Sequence, residues 1–171
     1  MISLKALASA LSLLLAFLPA TLHAEDEDVS WIADANGCKI ANPFPQPNEA
    51  VTWSGPCKDG FADGDGVLEW SIDGQPSDRY EGTLKQGWAE GKGTLVRQGM
   101  RYSGDWKHST QDGHGRYEGA DGSWYEGEWK EGQPHGQGEY QGADGRRLSG
   151  TWVDGEFQGD PGDDYDNPNK T

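Results

Sequence analysis

The chain is 171 residues long, carries a formal net charge of −15, and is 33% hydrophobic with 26 glycines. That length is a single-domain size, the low hydrophobic content excludes a large globular core, and the acidic balance excludes the basic footprint that nucleic acid or an anionic membrane surface needs. Between residues 80 and 152 there are 9 basic and 11 acidic side chains, so the excess sits in Glu25–Asp28, Asp59–Asp78 and Asp160–Asp166, where it serves solubility and repulsion between molecules.

Residues 1–24 open with Lys5, continue as an apolar run from Ala6 to Leu18, and end with Pro19 and the small-residue stretch Leu22-His-Ala24 before the acidic start at Glu25. This order reads as a cleaved signal peptide, because the run falls short of the ~20 residues a membrane span needs. The mature chain is therefore expected to be soluble and exported, to the periplasm or out of the cell. Residues 25–50 hold Cys38 and the proline-rich connection Asn42-Pro-Phe-Pro-Gln-Pro47. In an oxidising compartment Cys38 and Cys57 are expected to pair and to tether this segment. The other uses of two cysteines are a redox pair or metal ligation; the spacing is not Cys-x-x-Cys, and no nearby His or Cys completes a site.

Residues 51–159 repeat themselves. Tyr125-Glu-Gly-Glu-Trp129, followed by Gly136 and Gly138, aligns with Tyr102 to Trp106 followed by Gly113 and Gly115, and with Tyr80 to Leu84 followed by Gly91 and Gly93. A partial copy, Leu148 to Trp152, closes the series. The lead residues 80, 102, 125 and 148 stand 22, 23 and 23 apart, a period that signals a repeat architecture. A diverged first copy starts at Trp53, 27 residues before Tyr80, and puts Cys57 in the slot of Leu84, Trp106, Trp129 and Trp152. The expected disulfide would thus replace a ring as the packing element of the first hairpin.

Within a unit the alternation is that of a half-buried strand, with Tyr125, Gly127 and Trp129 on one face and Glu126 and Glu128 on the other. Glycine weakens a strand unless backbone must be approached closely. Gly82, Gly104, Gly127 and Gly150 therefore make room for the rings of Tyr80, Tyr102, Trp106, Tyr125, Trp129 and Trp152. Asp121-Gly122 and Asp144-Gly145, like Asp73-Gly74 and Gln98-Gly99, supply two-residue hairpin turns. Seven of the eight tryptophans lie between 53 and 152, which fits burial between neighbouring hairpins. Residues 160–171 are Gly, Asp, Asn and Pro for the most part and are expected to be disordered.

The Tyr-x-Gly-x-Trp core, the downstream Gly-x-Gly and the Asp-Gly turn resemble MORN repeats. The resemblance implies an all-β fold, an elongated single-layer antiparallel sheet of successive hairpins in about five units. Leu84 and Cys57 depart from the pattern by replacing Trp, Ser109 stands where the other units place Gly, and Pro161 takes the second Gly slot of the last unit, so the array is expected to end there. The stretch from Gly37-Cys38 to Cys57 is similar to the leader of secreted bacterial members. Some relatives pair the repeats with a lipid kinase or methyltransferase domain. With about a dozen residues after the array, none is expected here.

Candidate chemistry is sparse. His108, His114 and His135 lie in corresponding regions of separate units without metal-ligand spacing. Asp59, Asp63 and Asp65 lack the order of a calcium loop and read as turn residues. Glu126 and Glu128 suggest a carboxylate pair for glycoside hydrolysis, but on a solvated face; replacing these two and Glu139 together would separate a hydrolase from a binder. No catalytic, cofactor or metal site is expected. The expected function is a non-catalytic binding or scaffold protein of the bacterial cell envelope that docks a protein partner. Exported carbohydrate or lipid binding, or a hydrolase or lyase activity on envelope glycans, are the alternatives. Whether the aromatic stripe is core or ligand surface stays open, as does oligomeric state.

Overall fold

Positive φ angles at fixed intervals fold this chain back on itself again and again. In the computed structural model, which describes residues 29–159, the strands are β1 Ser30–Ala33, β2 Lys39–Asn42, β3 Glu49–Trp53, β4 Cys57–Lys58, β5 Phe61–Ala62, β6 Gly64–Ile72 and β7 Gln75–Lys85. They continue with β8 Trp88–Arg97, β9 Met100–Lys107, β10 Thr110–Glu118, β11 Trp124–Lys130, β12 Gln133–Gln141, β13 Arg147–Val153 and β14 Glu156–Gly159. The expected signal peptide at 1–24 and the expected tail at 160–171 lie outside the described residues. No helix occurs among the described residues.

β3 and β6 to β14 form one open ten-stranded antiparallel sheet in which each strand from β6 onward lies beside its sequence neighbour. The all-β array of successive hairpins is thus as expected. Two-residue turns join most strands. In Gln86-Gly87 (φ 49° and 81°), Gln98-Gly99 (47° and 83°) and Glu131-Gly132 (49° and 81°) both residues have positive φ, the type I′ geometry that matches strand twist. His108-Ser109 does the same without a glycine, at φ 48° and 59°. There the Ser109 hydroxyl accepts the Ala89 N–H at 2.9 Å.

Asp121-Gly122 and Asp144-Gly145 depart from expectation, because they sit inside five-residue loops, 119–123 and 142–146. Gly119 N–H donates to Ser123 O at 2.8 Å and Gly142 N–H to Arg146 O at 2.9 Å. The aspartate carboxylates reach forward to accept the N–H two residues on, Ser123 at 2.9 Å and Arg146 at 3.0 Å. That local competition widens the turn. The Ser123 hydroxyl and then its N–H hold the Asp121 carboxyl below its ordinary value, and the Arg146 N–H and then its guanidinium do the same to Asp144.

A second sheet was not expected. β1, β2, β5 and β4 form it in that order, with β2 and β5 paired in parallel at Lys39 and Phe61. Residues 57–62 leave the main sheet to build it, whereas the long first spacing of the repeat comes from the longer hairpin of β6 and β7 between Leu68 and Tyr80. Cys38 and Cys57 are bonded, with Cα atoms 5.6 Å apart. However, Cys57 does not fill a ring slot. Pro56 has no N–H to continue the ladder, so the pairing with β6 ends at Ser54 N–H to Val67 O, 3.0 Å. Cys57 then emerges exposed on β4 while Cys38 is buried. The tether therefore lies within the small sheet, from the β1–β2 connection to β4.

Replacing Cys57 by Ser is expected to lower the unfolding free energy by ~3 kcal/mol in the chain-entropy picture, read from the midpoint of a denaturant titration. Thiol titration of the wild-type protein, isolated without reductant, is expected to find no free thiol. Two free thiols, or an unchanged midpoint in the variant, would show that the bond is not part of the folded protein.

Candidate functional site

Three rows of residues cross the main sheet on one face. The lead row is Trp53, Leu68, Tyr80, Leu95, Tyr102, Tyr117, Tyr125, Tyr140 and Leu148, each directly opposite the next. Beside it runs a row made only of glycine, from Gly66 through Gly82, Gly93, Gly104, Gly115, Gly127 and Gly138 to Gly150. The third row holds Leu84, Trp106, Trp129 and Trp152.

The rings of the outer rows fold inward over the bare glycine backbone from opposite sides. Tyr80, Tyr102 and Tyr125 donate their hydroxyl protons to the carbonyls of Thr83, Asp105 and Glu128 at 3.2, 3.1 and 2.9 Å. From the other side the indole N–H groups of Trp106, Trp129 and Trp152 donate to the carbonyls of Gly93, Gly115 and Gly138 at 3.1, 3.0 and 3.3 Å. Each tryptophan meets two tyrosines edge-on, as Trp129 does with Tyr102 at 5.1 Å and Tyr125 at 5.2 Å between centroids. Such geometry is worth ~0.5–1.5 kcal/mol per pair beyond area burial. The diverged first unit follows the same rule, with Trp53 donating to Pro56 O at 2.8 Å.

All six rings expected in the stripe are buried, between 3% exposed for Tyr80 and 9% for Trp129. They are core. A Cβ added to Gly127 would stand 2.5 Å from Gln137 O and from the Gly138 Cα, and one on Gly104 would stand 2.4 Å from the Gly115 Cα. Gly150 is buried at φ 150°. Gly66, Gly93, Gly115 and Gly138, half of the row, were read from the sequence as repeat glycines without the task of making room for the rings, and the half-buried Leu95 and Tyr117 were not singled out, although the alternation places them on this face. Burial lifts the Tyr80 phenol to about 12, helped by Glu90 and Asp65, and burial with Glu128 does the same to Tyr125, to about 12. Tyr102 is pushed up further, by burial first and then Asp105 and Asp112.

The ring face opens into a groove at its N-terminal end. A cavity of about 760 Å³ lies between the sheet and residues 40–46, with Trp70, Tyr80, Leu95 and Trp106 on one side and Ile40 and Phe44 on the other. The hydrogen-bonding ends of Tyr80 and Trp106 are already engaged, so they offer the groove apolar ring surface. Phe44, on the proline-rich connection, is 80% exposed. Asp78 and Arg97, both in the lining, pair at 2.5 Å.

The opposite face is polar and its charges are engaged with one another. Arg116 pairs with Glu126 at 2.7 Å, Arg147 pairs with Glu139 at 3.3 Å, and Glu128 accepts Gln137 N–H at 2.9 Å. The three carboxylates considered for hydrolysis thus each serve a neighbouring strand. Trp124, standing where other units have Arg79, Arg101 or Arg147, lies under the Arg116 guanidinium at 4.5 Å. The histidines are not brought together. His108 Nδ1 is 3.3 Å from Glu90 and His135 Nδ1 is 3.5 Å from Asp154, while His114 N–H donates to Asp105 at 2.9 Å. Asp59 lies in a turn at φ 54°, Asp63 accepts Gln86 N–H at 3.1 Å, and Asp65 accepts the Thr83 hydroxyl at 2.5 Å. Among the described residues no group of three His, Cys, Asp or Glu is placed to hold a metal ion.

A family model described as MORN repeat matches residues 80–98, 102–124 and 125–146, three consecutive segments that each begin at a lead tyrosine. In a comparison with curated proteins, none matches the chain.

Gly127→Ala is expected to lower stability by ~1–3 kcal/mol through overpacking, and Gly127→Val by more although Val is the better strand former. Thermal melts check this, and a neutral result at both Gly127 and Gly104 would mean that the rings do not rest on these backbones. Alkali provides an independent check. The folded phenols of Tyr80 and Tyr125 lie above the unfolded value of about 10, so the unfolded chain gives up these protons first as pH rises. Their contribution is complete below pH ~10 and is lost through pH ~12. Tryptophan fluorescence is expected to report unfolding in that window, together with the rise in phenolate absorbance.

Proposed function

Given that the chain is a MORN-repeat protein, its repeats belonging to modules that bind protein or lipid, we propose that it is a non-catalytic docking protein of the bacterial cell envelope whose groove receives a segment of a protein partner. The observation that carries this reading is the groove itself. The rings of the stripe are consumed in packing along the array, and at the N-terminal end of the described residues the same face leaves aromatic surface beside a cavity of about 760 Å³. Aromatic side chains in such a recess are the usual anchors of protein interfaces.

Charge favours protein over an anionic bilayer, since the chain carries −15. The engagement of Glu126, Glu128 and Glu139 with other strands argues for a structural use of these acids over a hydrolytic one. Export is in keeping with the Cys38–Cys57 bond and with the leader read from residues 1–24.

A photo-reactive phenylalanine placed at Phe44, beside the groove, is expected to capture a discrete protein in the exporting cell. The same group at Val96, 38% exposed on the polar face, is expected not to. Replacing Glu126, Glu128 and Glu139 together by Gln is expected to leave the capture at position 44 unchanged. Equal capture from both faces, or none at position 44, would overturn the reading.

A further inference from the structure

The groove runs along a strand. Gly87 and Gln98, in the turns that bracket the ten-residue β8, both line it, and Ala89 and Leu95 between them form part of its floor. Gly87 itself is bonded to Ala41 and Ala62 of the small sheet, so the open track runs from Ala89 to Gln98, roughly 30 Å at about 3.3 Å per residue, the reach of an extended peptide of about nine residues. Its polar lining holds one charge without a counter-charge. Asp78 and Arg97 neutralise each other, whereas Glu49, half-buried in the lining, is bonded to the neutral amide of Asn42.

That amide fixes the carboxylate in place. Asn42 is only 8% exposed, and its backbone carbonyl accepts the Ser30 hydroxyl at 2.5 Å, so the residue that donates the amide is itself held between β1 and the groove. A carboxylate held at the side of an apolar recess is arranged for a cation supplied from outside, since a partly desolvated charge is costly unless paired. The surroundings reinforce this. Of the charged residues in the lining, Glu49 and Asp78 against Arg97 leave a net negative charge, and β6, which supplies Leu68 and Trp70 to the lining, belongs to a stretch from Lys58 to Arg79 with six acidic and two basic residues, so the local field attracts positive segments.

We propose that the groove takes an extended cationic peptide segment, which sets an apolar side chain against Trp70 and Leu95 and a Lys or Arg on Glu49. This rests on the docking role proposed above and adds the chemical class of the docked segment. An acidic segment would be repelled by the same field. A neutral oligosaccharide would leave Glu49 without the cation it is placed to meet.

A random linear nonapeptide display library selected on the full exported protein tests this, with Glu49→Gln and Trp70→Ala selected in parallel. Glu49→Gln keeps an acceptor for Asn42, and matching thermal melts confirm its fold. The expected winners on wild type combine an aromatic or large aliphatic residue with a Lys or Arg within a few positions. Their synthetic versions are expected to bind Glu49→Gln about tenfold more weakly, a change of about 1.4 kcal/mol, with a flatter salt dependence. Winners that lose binding with Trp70→Ala but carry no excess of Lys or Arg, or that bind Glu49→Gln equally well, would overturn the cationic class and leave docking in the groove standing. If no peptide is enriched, both this inference and the docking role fall.

Discussion

An aromatic ring laid on bare peptide backbone is the contact on which the rest of this structure depends. It requires glycine at every crossing, and the glycine row from Gly66 to Gly150 supplies it without interruption. With no Cβ in the way, Tyr and Trp from flanking rows close over the same strip and spend their polar ends on carbonyls beneath them. A buried hydroxyl or indole N–H without a partner would cost about 1–3 kcal/mol. Here each is satisfied by the backbone it covers, so an aromatic-rich core forms in a chain that is only 33% hydrophobic.

This arrangement lets one layer be stable without a second layer stacked on it. Trp106 and Trp129 each bridge their own tyrosine and that of the preceding unit, and Trp152 meets two tyrosines of the preceding unit, so burial passes from hairpin to hairpin as in other repeat proteins. The opposite face has no such duty and is tiled by ion pairs that lie largely in water, where individual pairs contribute little. Its cross-strand order, with Arg116 opposite Glu126, matters more for register than for free energy.

The ends of such an array need their own solutions. At the C-terminal end Phe157 covers Trp152 at 5.2 Å. At the N-terminal end Leu84 replaces the tryptophan, and the disulfide-tethered small sheet supplies Ile40 and Ala62 to the core in place of another hairpin. Its docking is exact to the backbone, with Ala41 N–H donating to Gly87 O at 3.0 Å and Gly87 N–H to Ala62 O at 2.8 Å. Because the small sheet approaches from the side, it leaves the groove between itself and the ring face. Capping and recess are therefore one feature.

The sequence by itself determined the hairpin array. Period 23 between lead residues, alternation of period two and glycine beside aromatic residues are local rules, and each acts within a single unit. The same rules identified the six buried rings and the close approach at Gly127. Only the tertiary structure decided that the stripe is core, because that depends on which ring of a neighbouring unit covers each glycine. It also decided the straight glycine row, since Gly93, Gly115 and Gly138 join Gly82, Gly104 and Gly127 only once the strands are in register. The small sheet and the place of Cys57 were beyond reach of the repeat pattern. Cys57 counts as a ring position along the chain, but Pro56 ends the ladder just before it, and the parallel pairing of β2 with β5 joins segments that share no motif. The groove, and the half-buried Glu49 within it, exist only because those segments meet.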